Sequence, residues 1–185
     1  MRVLLAGILA VAALPVPAIE DVLTRIDPQR SLAEFKVSLR MPIPAEGRFG
    51  SVNGELRQLP EFRHSVHVVL DARELKMSGP PWIQRVTDSP QFLDSARYPV
   101  IEYRSVAFPS QVLISGGEIS GTLTIRGIIR EVMFTISPSS CRQPGRNCPI
   151  LAHGRLNRHE FGMSAYRWGL RDEVQFAFQL KFVDE

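Results

Sequence analysis

The chain has 185 residues, 44% of them hydrophobic and 22% charged, enough apolar material for one domain-sized core. Its 22 Lys and Arg exceed its 19 Asp and Glu by only three charges. The excess is spread along the chain as single arginines, a pattern that excludes the dense basic patch of a nucleic-acid-binding protein.

Arg2, the apolar run 3–14 and the small residues Val16, Pro17 and Ala18 read as a secretory signal peptide over residues 1–18. The run is shorter than the about 20 residues needed to cross a bilayer. No cysteine follows the small residues, so a lipoprotein anchor is not indicated. One exported, soluble domain is expected over residues 19–185. After a turn at 26–31, Ala33, Phe35, Val37, Leu39 and Met41 alternate with Glu34, Lys36, Ser38 and Arg40, the period of a strand with one wet face. Pro42 and Pro44 end it. Residues 46–59 carry Gly47, Gly50 and Gly54 and predict a strand that bends or bulges, as barrel corners require. In residues 64–71, Val66, Val68 and Leu70 share a face with His64, while His67 points to the other side. That parity argues against a two-histidine metal site, and no metal is expected.

Pro80 and Pro81 suit the start of a short helix over 82–88, and Pro90 limits its extent. This insert gathers Trp82, Ile83, Val86, Phe92 and Leu93, either to cover one end of a barrel or to pack on its flank. Residues 100–108 and 111–115 read as further strands. Residues 121–136 read as a hairpin, with Leu123 and Ile125 on one arm, Val132, Phe134 and Ile136 on the other, and Gly127 at the reversal. Cys141 and Cys148 bracket a Pro-Gly turn and are expected to pair in an oxidising compartment. A weaker strand over 150–158 follows. The last strand presents Val174, Phe176, Phe178, Leu180 and Phe182 on one face.

Eight to nine strands joined mostly by short turns predict an all-β, antiparallel closed β-barrel of about eight strands with a short helical insert, a sandwich being the other arrangement. The inward set is hydrocarbon, so the interior is either a closely packed core or an apolar cavity. No Gly-x-Ser-x-Gly elbow, metal-ligand cluster or phosphate loop is present, and no catalytic residue is assigned.

Several segments, in order along nearly the whole exported chain, carry a family resemblance. They are Ile26-Asp27-Pro28, Phe35-Lys36-Val37, Gly47-x-Phe49, Phe92-x-Asp94 with Tyr98-Pro99, residues 121–127 (GTLTIRG), residues 158–163 (RHEFGM), and Asp172-x-Val174. Together they resemble the YceI-like family. Three features depart from its pattern: Arg30-Ser31 stands where His-Ser is common, the helix sequence 82–89 differs, and the cysteine loop is additional. The resemblance implies a periplasmic, lipocalin-like antiparallel β-barrel whose lumen holds a polyisoprenoid or similar amphiphilic lipid, for example an isoprenoid quinone. It acts as a binding protein and not an enzyme, with that lipid as partner, transient membrane contact, no nucleic acid, and a monomeric or homodimeric state. Lining residues would then be Phe35, Val37, Val68, Ile101, Tyr103, Leu123, Phe134, Phe176 and Phe178, with Phe161 and Trp168 near an entrance. Arg126, Arg158 or Arg167 could donate to a head group, although parity puts Arg126 on the outer face. The competing reading is a solid-core envelope interaction module with no bound lipid.

Overall fold

Period-two patterning becomes strand throughout the computed structural model, which describes residues 22–39, 45–166 and 169–184. The signal peptide expected over 1–18, the strand-ending Pro42 and Pro44, and Arg167 and Trp168 lie outside the described residues. The strands are β1 (Leu23–Arg25), β2 (Leu32–Leu39), β3 (Ala45–Arg48), β4 (Asn53–Leu59), β5 (Arg63–Asp71) and β6 (Lys76–Met77). After helix α1 (Pro81–Asp88) come β7 (Val100–Ser105), β8 (Phe108–Pro109), helix α2 (Val112–Ser115), β9 (Gly117–Ile125), β10 (Ile128–Ile136), β11 (Ile150–Asn157) and β12 (Leu170–Leu180).

All strand pairings are antiparallel, and the main path runs β4-β5-β7-β9-β10-β11-β12-β2-β3. β3 pairs with β2, whereas β4, only four residues further on, pairs with β5. The glycine-rich strand therefore bends from one edge of the sheet to the other and closes it. At the bend Gly54 has φ +150°, and a Cβ there would strike the His67 carbonyl, so no side chain fits. Counting β3 and β4 as one bent strand leaves an eight-stranded meander. The short β1, β6 and β8 are additions to its edges and hairpins.

Two short elements differ from the sequence expectation. Residues 111–115 form a helical turn, because Ile114 and Ser115 return hydrogen bonds to the Gln111 carbonyl in place of a sheet partner. β1 was not anticipated; three residues against β4 are too few to show a period.

The disulfide pairs Cys141 with Cys148, Cα atoms 6.1 Å apart. Its loop is sewn to the end of the last strand, where Phe182 N–H donates to the Gly145 carbonyl and Lys181 Nζ donates to the Arg146 carbonyl, 2.7 and 2.8 Å. Replacing both cysteines by serine is expected to lower stability by about 2–3 kcal/mol, the loop-closure value for so short a ring. Thermal melts with and without reductant measure it, and the double variant should lose its sensitivity to reductant.

Candidate ligand-binding lumen

The inward side chains of the strands are packed by parity. Val37 and Phe35 alternate on β2, Val68 on β5, Ile101 and Tyr103 on β7, Leu123 on β9, Phe134 on β10, and Phe176 and Phe178 on β12, and all are buried. Among the described residues, Tyr103 is the one polar side chain buried on a strand; its hydroxyl donates to the Ile119 carbonyl at 3.3 Å, and burial pushes its pKa up. No other buried strand position among the described residues carries a polar side chain.

The aromatic rings make a continuous column along the lumen. Phe92 from the helical insert meets Phe35 edge-on at 6.2 Å, and Phe35 meets Phe176 at 5.8 Å. Phe176 stacks on Phe178 at 6.2 Å, Phe178 meets Phe134 at 5.5 Å, and Phe134 meets Tyr103 at 4.9 Å. Gly154 makes room for this column, since a Cβ there would stand 2.6 Å from the Phe134 ring. Such offset and edge contacts hold the rings beyond their area burial.

Two small apolar voids flank the column. One of about 40 Å³ lies among Val66, Val68, Tyr103, Phe134, Ile136 and Phe178. The other, about 30 Å³, lies beneath α1 among Phe35, Val37, Ile83, Val86, Phe92 and Leu170. A cavity that accepts benzene is about 150 Å³, so neither void holds an isoprene unit while the rings stand as they do. A separate depression of about 710 Å³ is an open groove bordered by Glu34, Lys36, Glu46, Arg48, Lys76 and Arg155. Lys36 pairs there with Glu46 and Arg48 with Glu34, both as solvated surface pairs.

The helical insert covers the end of the barrel where β9 turns into β10. Phe92 and Leu93 enter the core, Ile83 packs beneath α1, and Trp82 stays half-exposed on its outer side. Arg126, at the β9–β10 turn, is not on an outer strand face: its guanidinium donates to the carbonyls of Gly162 and Pro90, 3.0 Å each, stapling the 158–163 turn to the insert. Phe161 is fully buried under that staple.

Arg158 is also fully buried. It donates to the carbonyls of Met163, Ala165 and Arg171 and to the Asp172 carboxylate, which His159 also contacts at 2.6 Å. Arg158 therefore positions the chain around the barrel end, and its donors are directed at protein oxygens. Two further histidines have protein partners: His64 with the Ser110 hydroxyl at 2.9 Å and His67 with Glu102 at 2.7 Å. The Arg104 guanidinium, which donates to the same Glu102 oxygen, holds that carboxyl below its usual range.

The sequence reading selected aromatic and central positions and passed over Val66, Ile119, Ile136, Ile150, Ala152 and Leu180, which share the same void. Their inward parity was the available signal.

No curated protein sequence matches the chain. Solved structures with the same fold include Burkholderia cenocepacia BcnA, at TM-score 0.67 and 20% identity over 84% of this chain and 98% of that one. A Saccharophagus degradans domain described as polyisoprenoid-binding and implicated in plant cell wall breakdown matches at TM-score 0.63 and 14% identity, over 87% and 98%. The Campylobacter jejuni YCEI protein matches at TM-score 0.55 and 14% identity, over 75% and 85%. The YceI-like domain profile spans residues 25–182, which takes in every barrel strand but the first two residues of β1. With barrel, bent strand and motifs all inside that span, the chain belongs to the YceI-like domain family.

Proposed function

We propose that this is a periplasmic binding protein that holds a polyisoprenoid or similar amphiphilic lipid, such as an isoprenoid quinone, in its lumen for transport, storage or sequestration, without catalysing a reaction. The observation that carries this reading is the hydrocarbon lining, in which one tyrosine hydroxyl is the sole polar group on the buried strand faces of the described residues. An apolar chain gains roughly 0.8 kcal/mol per CH₂ on leaving water for such a lining, about 4 kcal/mol for each five-carbon unit fully buried. The polyisoprenoid-binding description of the Saccharophagus degradans domain points the same way. Binding requires the phenylalanine column to turn aside, because the voids beside it are small.

That same filling of the lumen supports the second reading, a solid-core interaction module with no cargo. Native mass spectrometry of the protein purified from its own envelope, followed by organic extraction, separates the two. A stoichiometric prenyl mass is expected. A bare mass, with no uptake of added isoprenoids of several chain lengths, would replace the carrier by the interaction module.

A further inference from the structure

Both ends of the barrel show apolar side chains to water. At the α1 end Trp82, Val100 and Ile129 are about half-exposed, while Phe92, Leu93, Phe161 and Met163 are drawn inside. At the opposite end, where β4 turns into β5, large apolar side chains are exposed: Phe62 at the turn, Val22 just before β1, Leu23 on β1, Val106 after β7, and Ile114 on α2.

Phe62 is 84% exposed and has φ +54°, following Glu61 at φ +60°. Consecutive left-handed residues in a tight hairpin turn favour Asn and Gly, and a bulky residue there is an outlier. Folding gains nothing from holding a phenylalanine ring in water in that conformation. The Phe62 carbonyl does not need water, since it takes hydrogen bonds from Ser110 N and Oγ, and the neighbouring Ala107 carbonyl takes one from Arg63.

Charge agrees with this. Residues 22–31, 57–63, 106–118, 137–149 and 181–184, which form this end, carry Arg25, Arg30, Arg57, Arg63, Arg142, Arg146 and Lys181 against Asp27, Glu61, Glu118 and Asp184, two of which, Asp27 and Asp184, pair with Arg30. Glu55, just inside, pairs with Arg57 at 3.5 Å. An end that combines protruding apolar tips with surrounding arginines matches the boundary between acyl chains and anionic head groups.

We infer that the β4–β5 end is a membrane-docking face, with Phe62 entering the interfacial region of an anionic phospholipid bilayer and the surrounding arginines resting on its phosphates. The inference rests on the lipid-carrier reading for its purpose, since cargo of that class is picked up from a bilayer. Its test is independent of cargo.

The purified protein is sedimented with phosphatidylcholine–phosphatidylglycerol vesicles and with phosphatidylcholine vesicles, neither containing an isoprenoid. Binding to the mixed vesicles is expected, weakened by added salt and by omission of phosphatidylglycerol. Phe62→Asn should lower the partition coefficient by about tenfold or more, the loss of one inserted aromatic side chain. Because Asn tolerates the left-handed conformation, the same variant should melt at or above the parent temperature, which separates loss of docking from loss of fold. Ile129→Asn, on the exposed flank of β10, should leave partitioning unchanged. Docking at this end is overturned if the parent ignores the mixed vesicles, if Phe62→Asn binds as the parent does, or if Ile129→Asn loses as much. It is also overturned if Phe62→Asn instead abolishes a concentration-dependent dimer, which would make a second copy the occupant. A bare mass in the cargo experiment removes the carrier reading and leaves the vesicle result standing.

Discussion

Arg158→Met should lower stability by about 3–5 kcal/mol, the range for breaking a buried, hydrogen-bonded charge network. The methionine fills similar volume but strands the carbonyls of Met163, Ala165 and Arg171, which now receive guanidinium N–H groups. Each buried acceptor without a donor costs about 1–3 kcal/mol. For a domain of this size the melting temperature should fall by roughly 10 °C. Arg158→Lys should recover little, because one ammonium cannot reproduce a planar fork aimed at several oxygens. A head-group role predicts the reverse, an unchanged melt with weakened lipid uptake. Thermal unfolding and uptake measured on the same two variants decide between these roles.

The second large effect is expected in the aromatic column. Phe176→Ala removes a ring in contact with both Phe35 and Phe178 and should cost about 3–5 kcal/mol without ligand. The vacated space joins the lumen that the proposed cargo occupies. A long-chain prenyl alcohol added in excess should then raise the melting temperature of the variant by more than that of the parent, since the parent must first displace the ring. If neither protein responds, the column is ordinary core and the solid-core module is the better account. A parent that responds as strongly as the variant would show that the rings turn aside at little cost.

Much of the barrel was legible because its signals are local. Alternation along 33–41 and 174–182 assigned β2 and β12 their buried faces, and Gly127 located a reversal whose arms pair residue by residue. Gly47, Gly50 and Gly54 announced a bend, and the bend is where the sheet closes. The helix in the insert was legible from its prolines. β1 was not, since three residues contain no period, and neither was α2, a single helical turn whose apolar residues at 112–114 are equally compatible with a strand.

The candidate site divides in the same way. The sequence by itself determined which side chains face inward, because successive residues on a strand point to opposite sides and the interior accepts hydrocarbon. It also determined the family, through short motifs kept in order. Tertiary structure alone decided how full the lumen is: ring packing depends on distances between β2, β10 and β12, whose residues meet only after the sheet has closed. It decided that Arg126 and Arg158 hold segments together, since their carbonyl partners at Pro90, Gly162, Met163 and Arg171 lie on the insert, on the 158–163 turn and at the start of β12, whose meeting no local pattern encodes. And it placed Phe62 with Val22, Val106 and Ile114 at one end of the barrel, a grouping that arises from strand order and not from spacing along the chain.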